Sequence, residues 1–354
     1  MSEKAWLKNV RKVTPYVPGE QPQDLKKIKL NTNENPYPPS KGVMEALKEF
    51  DTSVLKLYPT TDAKELRKTL ADYHKVEEKN LFIGVGSDDV LATCFMTFFC
   101  GEKPTLFADI TYSFYEVWAK FAGINYKLVP LKENFRQDEE AYYEENGGIV
   151  IANPNAPTSI AESKELIERI VKANPESVVI IDEAYVDFGG ESVIGLTEKY
   201  DNLLVVRTFS KSRSLAGLRI GYAVGNEDLI NAMFAVRDSI NSYTINTIAV
   251  KAAVASVLDE EYFQSTLKKI VATRERAALE LEKLGFDVLP SSANFLYVTH
   301  KTRSAVDLQL KLRNEHIFVR YFKKPERISN YLRISVGTDE EMDRLIEVLS
   351  KEIQ

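Results

Sequence analysis

From about Leu57 onward the chain alternates short apolar runs with amphipathic segments, and no other feature restricts its fold so tightly. The runs cover residues 105–108, 126–129, 149–152, 178–181, 203–206 and 220–224. They are too short for helices, and several are apolar throughout, as strands covered on both faces are. Helical segments intervene for most of them. Residues 62–75 carry Leu66, Leu70 and Tyr73 at three-four spacing with Asp62 as the expected cap, and residues 161–172 stop at Asn174-Pro175. Such alternation predicts an α/β domain with a largely parallel sheet flanked by helices.

Beyond about residue 250 the texture changes. A long charged helix over 260–284 is followed by a strand at 294–299, a helix at 305–314, strands at 318–322 and 332–336, and a last helix from Asp339. At 354 residues the chain exceeds one ordinary core. We expect a large α/β domain over residues 31–250 and a smaller α+β domain from residues 1–30 and 251–354.

Two stretches at predicted strand ends carry chemistry. In TFSKSRSLAGLRIGY, from Thr208, a lysine follows a buried strand and an arginine stands eight residues later. A lysine amine can anchor an aldehyde cofactor, while hydroxyl and guanidinium groups hold its phosphate; Lys211, Ser210 and Arg219 supply these. In SVVIIDEAYVDF, from Ser177, a β-branched run delivers Asp182 and then Tyr185. A carboxylate at that place keeps a pyridine nitrogen protonated, and Tyr185 with Asn155 of the IVIANPNAPTS turn can hydrogen-bond a ring oxygen. The cofactor these groups describe is pyridoxal 5'-phosphate, with Lys211, Asp182 and Tyr185 as the expected catalytic set.

Composition excludes several other classes. A net charge of −6 and a pI near 5.5 argue against nucleic-acid binding. The N-terminus mixes charges without an apolar core, and the longest apolar run, residues 90–100, is short of the roughly 18 residues of a membrane helix. No membrane association is expected, and a cytoplasmic location follows as the default. Cys94 and Cys100 lie in that run without histidine partners and read as core thiols, and no metal site is expected. His74, His300 and His316 stand apart from one another and read as structural.

The order and spacing of LNTNENPYPPS from Leu30, LYPTTDAKELRKTLADY from Leu57, GVGSDD from Gly84, Tyr112, NPNAPT from Asn153, DEAYVDF, TFSK, AGLRIGY and YLRISVG from Tyr331 resemble the fold-type-I pyridoxal-phosphate aminotransferases nearly end to end. The resemblance implies that Ser87 and Asp88 cap a helix facing the cofactor phosphate and that Tyr112 stacks on the cofactor ring. It implies that Tyr58 reaches the site of a neighbouring subunit in a homodimer with shared active sites. It also implies that Arg333 holds the acidic end of the substrate, helped by Arg320 and Tyr16, with Asn33 nearby. The expected reaction moves an amino group from an amino phosphate or amino acid to 2-oxoglutarate; decarboxylation of an amino-acid phosphate, a broader aromatic aminotransferase and a cofactor-binding regulator are the rivals.

Three departures from the usual motifs stand beside this chemistry. Ser212, Arg213 and Ser214 replace a small residue, an aromatic and a glycine; Ser159 replaces a glycine; and the phosphate turn reads GSDD. A serine at a position needing positive φ carries a steric cost.

Overall fold

The computed structural model describes residues 4–23 and 27–353. A short strand, β1 (Ile28–Leu30), precedes a seven-stranded sheet made of β2 (Leu81–Gly84), β3 (Thr105–Ala108), β4 (Tyr126–Val129), β5 (Gly148–Ala152), β6 (Val179–Asp182), β7 (Leu203–Thr208) and β8 (Gly221–Gly225). Its order is β2-β8-β7-β6-β5-β3-β4. Strands β3 to β7 pair in parallel, whereas β8 runs antiparallel to both β7 and β2. A second sheet joins β1 to β9 (Phe286–Val288), β10 (Phe295–His300), β11 (Ile317–Tyr321) and β12 (Leu332–Ser335) in the order β1-β11-β12-β10-β9.

The helices are α1 (Lys41–Lys48), α2 (Lys64–His74), α3 (Ser87–Phe98), α4 (Phe114–Ala122), α5 (Lys164–Ala173), α6 (Glu227–Ile240), α7 (Thr247–Leu258), α8 (Glu260–Lys283), α9 (Ala305–Asn314) and α10 (Asp339–Ile353). Among the described residues, no helix is long and apolar enough to cross a membrane.

Successive side chains of a strand point to opposite faces, so a strand sandwiched between helix layers must be apolar at every position. Ile149, Ile151, Val179, Ile181, Leu203 and Val205 pack with Leu66 of α2, Ile167 of α5 and Ala252 of α7. Their neighbours Val150, Ile180, Leu204 and Val206 pack on the other face with Phe95 of α3, Tyr115 of α4 and Met233 of α6. The second sheet buries Leu296, Val298, Val319, Leu332 and Ile334 against α8, α9 and α10. Alternation then turns Arg320, Arg333 and Ser335 to its opposite face.

Several local expectations are corrected. Asp62 does not cap α2: Ala63 is the cap, in a left-handed conformation without a side-chain bond, and Asp62 pairs instead with Arg67 at 3.2 Å. Cys100 is exposed at the end of α3, so only Cys94 is a core thiol. Three strands escaped the apolar pattern, namely β1, β2 and β9; two are of three residues, and β2 adjoins the glycine turn before α3.

Candidate active site

A cavity of about 170 Å³ opens at the carboxyl ends of the parallel strands, where open α/β sheets receive ligands. All the predicted site residues except Asn155 and Tyr58 line it. Lys211, in the loop after β7, donates from Nζ to the Thr32 carbonyl at 3.0 Å and stands 5.6 Å from the centre of the Tyr185 ring. Its backbone is gripped from outside. Asn35 Nδ2 donates to the carbonyls of Lys211 and Ser212, both at 3.1 Å, with its orientation set by a bond from the Tyr37 N–H to Oδ1.

Asp182 ends β6 and is buried. The Tyr115 hydroxyl donates to its Oδ2 at 2.8 Å and the Ala184 N–H to its Oδ1 at 3.1 Å. Burial nonetheless outweighs these bonds and pushes its pKa up to about 6. Such a carboxylate, lacking a cation among its hydrogen-bond partners, suits the protonated nitrogen of a ring. The Tyr185 hydroxyl accepts from Asn33 Nδ2 at 3.0 Å.

Opposite these groups lies an anion cradle. Helix α3 starts at Ser87, and its cap is Gly86 at φ 84°, which corrects the expectation that Ser87 and Asp88 are the cap; they are the first two helical residues. First-turn amides have no intrahelical acceptor and favour an anion. Gly86 is required twice over, since a Cβ there would come within 2.6 Å of the Arg219 guanidinium. Gly221 likewise lets β8 approach the turn, where a Cβ would meet the Ser87 nitrogen at 2.4 Å. Arg219 donates to Ser210 Oγ at 3.4 Å and to Asp88 Oδ2 at 3.3 Å, and Tyr112 donates to Asp88 Oδ1 at 2.8 Å.

At the other end of the cavity Arg333 of β12 pairs across the strands with Arg320 of β11. Arg333 Nη2 donates to the Asn31 carbonyl at 3.0 Å, while its Nε is buried without a partner among the described residues. Burial, with Arg320 adding to it, lowers the pKa of this guanidinium. A buried, incompletely bonded cation without a carboxylate is a site for an incoming anion. Arg320 is more occupied than expected, with Nη1 on the Pro18 carbonyl at 3.2 Å and Nη2 on that of Val17 at 3.1 Å. It thereby holds the segment carrying Tyr16, whose ring stacks on Phe114 at 4.2 Å and lies 6.4 Å from Tyr112.

Two predicted residues lie elsewhere in this arrangement. Asn155 donates both amide hydrogens, to the Ile110 carbonyl and to Thr158 Oγ1, each at 2.9 Å, and its Oδ1 accepts from Thr111. Tyr58 is 83% exposed and stacks on Tyr243 at 4.7 Å. Conversely, Asn35, Thr32 and Tyr115 act on the site without having been anticipated. Asn35 and Thr32 stand inside the LNTNENPYPPS stretch; Tyr115 is three residues past Tyr112.

The donor set fits pyridoxal phosphate: an amine, a buried carboxylate facing it across the cavity wall, and a glycine-walled cradle of helix amides, Ser210 and Arg219. Residues 25–349 match the family described as aminotransferase class I and II. The chain is 51% identical to histidinol-phosphate aminotransferase of Clostridium acetobutylicum over 98% of this chain and 99% of that one. Among solved structures it is similar to a putative histidinol-phosphate aminotransferase of Erwinia carotovora atroseptica, with TM-score 0.84 and 27% identity over 92% of this chain and 95% of that one. Histidinol-phosphate aminotransferase of Sinorhizobium meliloti in complex with pyridoxal-5'-phosphate matches at TM-score 0.84 and 25% identity, over 92% and 90% of the two chains.

Proposed function

The chain belongs to the class I and II aminotransferases, and from this premise we propose that it transfers the amino group of L-histidinol phosphate to 2-oxoglutarate, giving imidazole acetol phosphate and L-glutamate in histidine biosynthesis. It is a pyridoxal-phosphate-dependent transaminase of fold type I. The observation that carries the substrate reading is the pair Arg333 and Arg320 on one cavity wall, two cations at the end away from the phosphate cradle, one with a buried unpartnered Nε. That end suits a second anion, and the 51% identical relative bears the name of an enzyme for a phosphorylated donor.

When bound, the cofactor supplies an electron-accepting ring that weakens the bond between the donor's Cα and its hydrogen. Ser87, Ser210, Arg219 and the first amides of α3 would hold its phosphate, and Asp182 would keep its ring nitrogen protonated. Tyr112 would cover the ring. Tyr185 and Asn155 would address the ring oxygen, for which Asn155 must exchange one of its present bonds. Lys211 would anchor the cofactor through its amine and, when that amine is free, would accept the Cα proton at Nζ and hold it for return. Arg333 would grip the carboxylate of glutamate or the phosphate of the donor through its planar fork, with Arg320, Tyr16 and Asn33 at the same end.

The reading extends to a two-domain chain divided at about residues 30 and 250, and to a cytoplasmic homodimer in which Tyr58 enters the partner's site. Exposed Leu55, Leu57, Tyr58 and Tyr243 support an interface there. A panel of amino donors with 2-oxoglutarate tests the substrate. Preference for L-histidinol phosphate over phenylalanine supports the reading, and phenylalanine as the better donor overturns it.

A further inference from the structure

Arg213 stands two residues from Lys211 and takes no part in the chemistry above. Its side chain is buried, yet it points away from the cavity, toward the junction of α7 and α8. Its Nη1 donates to the Ser256 carbonyl at 2.6 Å, one of the last-turn carbonyls of α7 that lack an intrahelical donor. The cation also sits at the negative end of that helix dipole. Its guanidinium lies 3.9 Å from the ring centre of Phe263 in α8 and 5.2 Å from that of Tyr73 in α2, with Glu260 of α8 at 3.7 Å.

These contacts join the lysine loop to a particular mechanical point. Asp259 ends α7 and caps α8, so the chain bends there. Helix α8 then packs Phe263, Leu267 and Ile270 on Phe188 and Val336, and Ala277 and Leu281 into the core of the second sheet. Any rotation of the second sheet about this bend displaces Phe263, on which Arg213 rests. On the other side of the loop, Ser212 donates to Asp187 Oδ2 at 2.5 Å and Asn35 holds the Lys211 and Ser212 carbonyls at 3.1 Å. Serine at 214 closes the loop at φ 58°.

We propose that Arg213 is a positioning residue that locks the Lys211 loop to the α7–α8 joint, so that the reach of the lysine amine is set by the position of the second sheet. The proposal rests on the aminotransferase reading. Charge alone does not suffice; what matters is a planar cation able to donate to Ser256 and lie flat on Phe263 together. An ammonium cannot do both.

The test compares Arg213→Lys and Arg213→Met with the full-length wild type. In cofactor-free protein, amide hydrogen exchange across residues 208–219 is expected to rise about tenfold in both variants, with the central strands unchanged. In cofactor-loaded protein the circular dichroism of the bound cofactor should change, and kcat should fall about 10- to 100-fold with KM within about threefold, as small misplacements of a catalytic group do. The lysine variant carries the test if the methionine variant does not fold. Wild-type loop exchange in Arg213→Lys, or a lowered melting temperature with wild-type exchange, cofactor dichroism and kcat, overturns the proposal. A wild type inactive with every donor would sink the functional reading instead, and the exchange data on cofactor-free protein would still judge Arg213.

Discussion

Tyr115 donates its phenolic hydrogen to Asp182 at 2.8 Å inside the wall of the cavity, and among the described residues this is the one side-chain bond the carboxylate receives. The bond favours the charged carboxylate, but burial favours the neutral acid more strongly. Cofactor-free protein therefore carries at neutral pH a carboxylate whose burial its hydrogen bonds only partly offset, and a bound pyridinium would relieve it.

Because the folded pKa of Asp182 is raised from 3.8 to about 6, its contribution is most favourable below about pH 4 and is lost as pH rises through 6. The change is worth about 3 kcal/mol. Half-buried His74, whose pKa is lowered to about 3, works in the opposite sense in the same range, so the comparison is made against Asp182→Asn, which keeps His74. Denaturant unfolding of the two cofactor-free proteins should show the variant gaining on the wild type by about that amount between pH 4 and pH 8. Parallel profiles would refute the assignment.

Lys211→Ala should retain a folded chain but lose any cofactor fixed by borohydride. Peptide mass spectrometry reads the outcome, and a label found on another lysine would remove Lys211 from its role.

Arg333→Lys should weaken both half-reactions by about 10- to 100-fold, since an ammonium keeps the charge and gives up the fork that charged hydrogen bonds need. Arg320→Ala should harm phosphorylated donors more than plain amino acids, and it should also free the residue 17–18 carbonyls and speed proteolysis near them. Single-turnover cofactor conversion with each donor separates the two variants; equal losses for both donor types in Arg320→Ala would end the case for a phosphate-specific end.

Ser214 adopts φ 58° and Ser159 φ 65°, a left-handed backbone in which a side chain is strained. Ser214→Gly should therefore raise stability by up to about 1 kcal/mol, seen as a melting temperature higher by about 1 °C. Ser159 is tied by its hydroxyl to the Thr158 and Pro290 carbonyls, so Ser159→Gly should gain less.

Inactive Lys211→Ala and an inactive Tyr58 variant, unfolded together and refolded as a mixture, should recover part of the activity through hybrid dimers. A fully active monomer in sedimentation would contradict shared sites.

Much of the site was readable because its chemistry needs particular residue types at the ends of strands, and both the types and the strands leave local marks. Lys211, Asp182 and Arg219 are of this kind. The direction of β8 is not, because alternation of side chains is the same in parallel and antiparallel strands. Nor is the environment of Arg213, whose partners Ser256 and Phe263 lie far along the chain, or that of Asn35, whose clamp on the Lys211 carbonyl joins two distant motifs. Asp62 misled because a left-handed Ala63 takes the cap position that a short polar side chain usually fills.

The parallel pairing of β1 with β11 sets Ile28 opposite Ile317. A ribosome makes the first of these strands and must then add nearly the whole remaining chain before its neighbour exists, which at about 5–20 residues per second is a wait of roughly 15–60 s. During that interval β1 of the emerging protein is an unpaired edge, while Tyr16 ahead of it already has its partner Phe114. The last strands to emerge therefore decide when β1 finds its place in the second sheet.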